Sequence, residues 1–449
     1  MRKPLVVLAA LVMTAGLLGA STASSSAASS KISVRSSVKA PWPGEATKLT
    51  GRVTPKKRVV ELQKRRGKKW VRVSRTKTRS GGAFAFSVRA TTTRTSYRVV
   101  ARKTKIKRKV YKKKLSKTLY VKAASPKVSL SLYPAAVRVS PMRAGVPVVV
   151  QRKIGSAWSN VVNTKLPASG LIEFPVASNV TDYRAGVRAP GATTWTYSSQ
   201  ARSSRKLAWS EEFSDPSTLG TTWRTRDEAT YHGKRMCSAT SPKNSYVLKG
   251  HLRLKVTADN NPDPALVDIE KCKTVGGGTV LQGMVGTQLS HAKFKYGTFA
   301  ARIKFQAPRG MHGGFWLQSA GVPEIDVAEY FGDGRPRGGL THYLHDRPKG
   351  TSTDWVRVGT ESLKAKELLT HGRNTPSTGF HVYSVDRTTA GYVFRVDGVE
   401  TFRTTQLRSE DEHYLVLSLV SSDEDRKNYL DKSKLPQAFM DVDWVRVWK

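Results

Sequence analysis

Glu324-Ile325-Asp326-Val327-Ala328-Glu329 places three carboxylates in one short, otherwise apolar segment. Carboxylates this close push one another's pKa values apart, so that one can stay protonated while another ionises. In a strand, Glu324 and Asp326 share a face and Glu329 falls out of phase by one residue. One extra residue, a β-bulge around Val327-Ala328, restores the phase and lines all three acids on one face, with Ile325 and one of Val327 or Ala328 packed beneath. The Cα atoms of Glu324 and Glu329 are then roughly 13 Å apart. Carboxylates leaning toward each other over Asp326 can come to about 5 Å, the separation at which a nucleophile and an acid/base cleave a glycosidic bond with retention. Acids scattered on a solvated strand face give the same pattern. The flanks favour chemistry: Gly313-Gly314-Phe315-Trp316-Leu317 lies just upstream and Tyr330-Phe331-Gly332 directly downstream, and sugar rings stack on such aromatics.

The elements around this segment read as strands throughout. Short alternating runs such as Ala83-Phe84-Ala85-Phe86-Ser87-Val88, bounded by Gly, Pro and Ser, predict an all-β chain. Val59 to Arg65 recurs as Pro147 to Lys153, and Trp70, Gly82, Phe86 and Tyr97-Arg98 match Trp158, Gly170, Phe174 and Tyr183-Arg184. This is an internal duplication of a unit of roughly ninety residues, each predicted to be a small immunoglobulin- or fibronectin-like β-sandwich. The expected organisation is a signal peptide over 1–28, a first repeat over 31–123, a second over 126–189, a Thr/Ser/Gly-rich linker over 190–206, and a C-terminal domain over 207–449.

The leader has a basic start, Met1-Arg2-Lys3, an apolar run from Leu5 to Ala20 and a small-residue exit, which predicts cleavage and export. No later segment is long and apolar enough to span a bilayer. In an exported chain the two cysteines, Cys237 and Cys272, are expected to form a disulfide, and they are too few for a zinc site. The net charge of +44 comes mostly from the first repeat, where residues 31 to 122 carry roughly thirty net positive charges and only Glu45 and Glu61 as acids. Nucleic acid is disfavoured as the partner, since Tyr111 is the only aromatic between Tyr97 and Tyr120 and no stacking platform appears. Anionic wall polymers, lipid headgroups or acidic polysaccharides fit an exported basic module; the alternative is simple solvation of strand edges. Gly276-Gly277-Gly278 lacks the Lys-Ser/Thr of a phosphate loop, and Asp333-Gly334 and Asp423-Glu424-Asp425 read as loops.

From about Leu207 onward the chain resembles the family 16 glycoside hydrolases, in the laminarinase-like branch with the bulged E-x-D-x-x-E motif. The residues that carry the resemblance are Leu207-Ala208-Trp209-Ser210-Glu211-Glu212-Phe213, Tyr296 to Lys304, Phe315-Trp316-Leu317, Phe380-His381-Val382-Tyr383 with Phe394 to Gly398, and Val442 to Trp448. The resemblance implies a concanavalin-like jelly-roll β-sandwich, with Glu324 as nucleophile, Glu329 as acid/base and Asp326 tuning the charge between them. It implies Trp316 as a sugar-stacking residue, unless that ring lies in the core, and makes His312, Arg302, His342 and Tyr330 further substrate-contact candidates. No cofactor is required for catalysis. A structural calcium ion is implied at Glu212, the Gly250 carbonyl and Asp443, whose hard oxygens suit it; plain exposed acids are the alternative. The sequence departs from the family at His312-Gly313-Gly314 in place of Trp-Pro-Ala, at Pro323 in place of Gly, at Ala300 in place of Glu and at Arg387 where Trp is common.

The expected activity is secreted, retaining endo-hydrolysis of a β-linked polysaccharide, β-1,3- or β-1,3/1,4-glucan first, by a monomer associated with the cell wall. The alternatives are a transglycosylase using the same residues and a non-catalytic wall-associated carbohydrate-binding or adhesion protein that keeps the fold.

Overall fold

Alternation of apolar and polar residues builds nearly every element of this chain, and the strands it builds pair almost entirely antiparallel. The structure, a computed structural model, describes residues 31–106, 108–226, 237–265, 270, 272, 279–288, 292–319, 323–335, 339–346, 356–363, 369, 375–421, 435 and 437–449. The leader, the glycines at 276–278 and the acids at 423–425 lie outside the described residues. The chain divides into two compact units, one ending at Ala123 and one comprising Trp42–Gly44 and Ala124–Lys449.

The first unit is a two-sheet sandwich. One sheet has the order Ile32–Ser36, Ala46–Val53, Ala83–Arg89; the other has the order Leu119–Val121, Thr95–Ala101, Val59–Arg66, Lys69–Lys77. Leu49, Val60, Leu62, Phe84, Phe86, Tyr97 and Val99 fill the space between them. A hairpin of Thr104–Ile106 and Lys109–Tyr111 extends it. The buried Arg58 ties down the base of that hairpin, its Nη2 donating to the carbonyls of Arg102 at 2.6 Å and Lys112 at 2.8 Å.

The second repeat has the same strand order: Lys127–Leu132, Ala135–Ser140, Leu171–Glu173 in one sheet and Ala157–Lys165, Pro147–Ile154, Asp182–Val187 in the other. The residues that recur in sequence also recur in geometry. In both copies the ladder shifts register at the recurring glutamine, Gln63 or Gln151. Arg98 donates to Gln63 at 2.8 Å and lies over Trp70 at 4.3 Å; Arg184 donates to Gln151 at 2.8 Å and lies over Trp158 at 4.3 Å. The segment read as a linker is different. Thr196–Tyr197 and Ala201–Arg202 both pair with Asp182–Val187, as Lys114–Leu115 and Leu119–Val121 pair with Thr95–Ala101. Strands of two or three residues are too short to show alternation, so the second repeat extends past 189 and the joint is confined to about 203–206.

The C-terminal domain is a jelly-roll sandwich of two sheets. Seven of its strands position the site: β1 Gly297–Lys304, β2 Met311–Gln318, β3 Glu324–Tyr330, β4 Leu340–Asp346, β5 His381–Thr388, β6 His413–Ser421 and β7 Ala438–Trp448. The sheet that bears the acids runs β6, β2, β3, β4 and then Val356–Leu363. In the second sheet β1 lies between β5 and β7. Phe299, Ile303, Phe315, Leu317, Ile325, Leu344, Tyr383, Leu417 and Val445 from both sheets make one continuous core, each large apolar side chain there worth about 1.5–3 kcal/mol of burial. Cys237 and Cys272 are joined in a disulfide with Cα atoms 5.5 Å apart, an ordinary span for that bond. Among the described residues no helix is long and apolar enough to cross a membrane.

The second repeat packs on the outer face of the second sheet. Tyr133 and Leu171 lie against Ala300, Val382, Trp444 and Trp448. The Tyr133 hydroxyl accepts from the N–H groups of Ser204 and Arg205 and donates to the Arg205 carbonyl at 3.0 Å. Gly398, at φ +75°, turns so close to the repeat that a Cβ would meet Ser131 at 2.9 Å. Ala300 is therefore a buried contact residue, where a charged side chain would be stripped of water.

Candidate active site

Strand β3 carries the bulge that the acid spacing demands. Against β4, Asp326 pairs with Tyr343 and Glu329 with Thr341, so three steps on β3 match two on β4. Against β2 the shift falls between Phe315 and Trp316. Ile325, Val327 and Ala328 are all fully buried in the intersheet core, so both central residues of the bulge, and not one of them, pack beneath the acids. Glu324, Asp326 and Glu329 lie on the opposite, open face.

Two histidines meet these acids. His312 Nε2 of β2 lies 2.8 Å from Glu329 Oε1, and its ring stacks on Phe331 with centroids 4.3 Å apart. His345 Nε2 of β4 lies 3.0 Å from Asp326 Oδ2. The Thr341 hydroxyl donates to Glu329 Oε2 at 3.1 Å. Burial raises the pKa of Glu329, but the hydrogen bond and charge of His312, the charge of His345 and the Thr341 hydroxyl outweigh it and hold the carboxyl below the usual glutamate value. His345 is held low by burial, which the Glu329 charge opposes and Arg357 reinforces. Donor atoms of Glu324, Asp326 and His345 fall within 4.8 Å of one another, so these are the residues with the reach to hold a cation. The same close contact of His345 with Asp326 also serves a metal-free carboxylate site.

Along β2, His312, Gly314, Trp316 and Gln318 face the acids' side, while Met311, Phe315 and Leu317 enter the core. Trp316 is half-buried on the open face, with Nε1 donating to Ser418 Oγ at 3.1 Å, and packs with Met284, Tyr414, Val416 and Val420. Gly314 stands opposite Glu329, where a Cβ would meet Ser418 Oγ at 3.0 Å and Trp316 at 3.3 Å. The glycine thus keeps the floor beside Glu329 open. Arg226 and Tyr414 both bond Gln318 next to Trp316.

Other candidates lie elsewhere. His342 is fully buried, stacked on Phe394 in the core, and its Nδ1–H donates to the Val327 carbonyl at 2.6 Å. Strand phase explains this: Leu340, His342 and Leu344 face inward, and Thr341, Tyr343 and His345 face the acids. His345, missed in the sequence, holds the place assigned to His342, and the leucines at 340 and 344 were the available signal. Tyr330 follows Glu329 by one residue and so points into the core, against Phe305, with its hydroxyl on Asp333. Arg302 is in the second sheet, on its outer face, bonded to Asp443 at 2.6 Å and facing Glu173 of the second repeat. Two of the proposed calcium ligands are engaged by cationic side chains: Glu212 grips Arg446 through both oxygens, and Asp443 is shared by Arg302 and His251.

One of the residues that depart from the family pattern, Arg387, supports β3 from behind. Arg387 is buried and donates to His413 Nδ1 at 2.7 Å. Since the guanidinium can only donate, the His413 proton is on Nε2, which bonds the Pro323 carbonyl at 2.8 Å. Arg387 is thus linked through one imidazole to the residue preceding Glu324.

The sequence model of the family "Glycosyl hydrolases family 16" matches residues 239–429. The C-terminal part of this chain is a family 16 glycoside hydrolase domain. Similar solved structures include the laminarinase catalytic domain of Thermotoga maritima MSB8, with 18% identity over 55% of this chain and 99% of that one and a TM-score of 0.43. The endo-1,3-β-glucanase catalytic domain of Thermotoga petrophila RKU-1 has 18% identity over 55% and 98%, with a TM-score of 0.44. The endo-β-1,3-glucanase of Pyrococcus furiosus has 18% identity over 55% and 94%, with a TM-score of 0.43. No curated protein matches the chain.

The family 16 domain holds two neutral buried histidines behind its site. Burial lowers the pKa of His342 to about 4, against its bond to Val327 and the Glu329 charge, and lowers that of His413 to about 4, with Arg387 adding to the effect. Both titrate near 6.5 when unfolded, so between about 6.5 and 4 the unfolded chain binds more protons. Stability must therefore fall as pH drops through that window, by on the order of 3 kcal/mol for each histidine. Denaturant unfolding should show a plateau above pH 7 and a steep loss from 6.5 to 4.5, with a shallower slope in His413→Gln. Stability independent of pH across that window would contradict this account of the two rings.

Proposed function

We propose that this chain is a retaining endo-hydrolase of a β-linked glucan with β-1,3 or mixed β-1,3/1,4 linkages. The observation that carries the reading is the bulge in β3, with Glu324, Asp326 and Glu329 on one open face. Glu324 is the nucleophile: its carboxylate attacks the anomeric carbon and forms a glycosyl ester. Glu329 gives a proton to the departing sugar oxygen and then takes one from the water that hydrolyses the ester. Asp326, with its Oδ2 3.0 Å from His345 Nε2, tunes the charge between them. The family 16 domain supports the bond class, and Trp316 and Tyr414 beside the acids support a sugar ligand.

Glu324→Gln should lower kcat by about a thousandfold or more on a glucan that the wild type cleaves. Glu329→Ala should be slow on unactivated glucan and partly rescued by azide, which needs no base. New reducing ends, measured over β-1,3-, mixed-linkage, agar- and chitin-type polysaccharides, check both claims. Activity retained in Glu324→Gln would sink the assignment of the nucleophile. Binding without cleavage anywhere in the panel would favour the adhesion reading.

We further propose that the chain acts outside the cell and that its first unit holds it to anionic wall polymers. The leader-like residues 1–28 and the exposed Lys103, Lys105, Lys112, Lys113 and Lys114 around the basic hairpin support this reading. Such attachment is electrostatic and must weaken as the Debye length shrinks from about 10 Å at 0.1 M salt to about 3 Å at 1 M. Glutamine at those five lysines should release the protein from isolated walls at 0.1 M salt while hydrolysis of soluble glucan is unchanged. Equal retention would reduce the charge to surface solvation.

A further inference from the structure

Among the described residues, His312 and Thr341 are the side chains in direct polar contact with Glu329. His312 stands in β2 across Gly314 from that acid, with Nε2 at 2.8 Å from Oε1, and the two side chains are only 13% and 14% exposed. The ring lies nearly flat on Phe331, at 15°, and Arg335 covers Phe331 at 4.9 Å. A general acid must hold its proton before the glycosidic bond breaks. Glu329 is poorly suited to do so alone, since its neighbours hold it below the ordinary glutamate value. The nearest group able to store that proton is His312.

We propose that the general acid of this enzyme is the Glu329–His312 pair, in which one transferable proton rests on His312 and passes through Glu329 to the sugar. The inference rests on Glu329 being the acid/base. As the Glu324 oxygen bonds to the anomeric carbon, the bond from that carbon to the leaving oxygen breaks. The leaving oxygen takes a proton from Glu329, and Glu329 Oε1 takes one from His312 Nε2, leaving the imidazole neutral. In the second half water gives a proton to Glu329, its oxygen bonds to the anomeric carbon, and the ester to Glu324 breaks. The proton returns to His312. Among the described residues, the charged and titratable groups facing the pair are Asp326 and Glu324 from β3, His345 from β4, and Arg335 behind Phe331. From β6, Ser418 and Val420 bring no charge. His345 is engaged with Asp326, which leaves His312 as the proton store.

The test is the pH dependence of kcat in the full-length wild type, His312→Gln and His312→Phe, on glucan and on an aryl β-glycoside whose activated leaving group needs no acid. With the pair intact, the alkaline limb is the loss of the shared proton from a histidine stabilised by a carboxylate. Without His312 it is the ionisation of Glu329 alone. Both variants should lose about a hundredfold in kcat on glucan with little change in KM, keep near-normal rates on the aryl glycoside, and show the alkaline limb about one unit or more lower. If His312 only donates a hydrogen bond that acidifies Glu329, removing it moves the limb upward; that result, or an unmoved limb, overturns the proposal. Imidazole NMR gives a reading without substrate: His312 should titrate above 6.5 in the wild type and fall in Glu329→Gln. Titration at or below 6.5 with Glu329 present overturns the pair. A wild type that cleaves no polysaccharide overturns the assigned function itself; cleavage with the limb unmoved overturns only the pair.

Discussion

A β-strand returns a side chain to the same face every second residue, and Glu324 and Glu329 are five residues apart. Regular pleating would bury one of them in the sandwich core, unpaired, at a cost of several kcal/mol. The extra residue in β3 removes that conflict. It sends Val327 and Ala328 together into the core and brings Glu329 back to the open face. The inward side of the bulge is secured by His342, whose Nδ1–H meets the Val327 carbonyl and whose Nε2 accepts from Thr401. The other features of the site presuppose this one irregularity.

Around it the domain arranges charge by distance from water. On the open side, histidines sit directly on the acids: His312 on Glu329 and His345 on Asp326. On the core side, His342 and His413 are kept neutral by burial and serve as hydrogen-bond connectors. Arg387, His413 and Pro323 form one such connection leading to the start of β3. The departures from the family pattern fall along these connections and at the domain contact. Ala300 lies beneath the second repeat, Gly314 clears the floor beside Glu329, and His312 stands on the acid itself.

What the sequence could convey follows from how local each feature is. The spacing E-x-D-x-x-E states the bulge, because no regular strand puts those three acids on one face. The duplication was readable because Gln, Trp and Arg recur at fixed intervals, and they proved to be one cross-strand cluster. His342 and Tyr330 were misassigned because a motif names residues without giving strand phase; their apolar neighbours Leu340, Leu344 and Ala328 mark the inward side. Arg302 and the presumed calcium ligands Glu212 and Asp443 depend on pairings over more than a hundred residues, among them Arg302 with Asp443 and Arg446 with Glu212. Nothing in a local pattern indicates that each acid already has a guanidinium partner. The strands at 196–197 and 201–202 are defined only by the partner they pair with.

The central claim is that two carboxylates on one bulged strand act in succession on the same anomeric carbon. The configuration of the first product measures this directly. Proton NMR of the newly released reducing end, recorded before mutarotation, should show the β-anomer first, with the α-anomer growing in slowly as the solution equilibrates. The α-anomer appearing first would mean that water attacks directly, with no ester to Glu324, and would contradict the account.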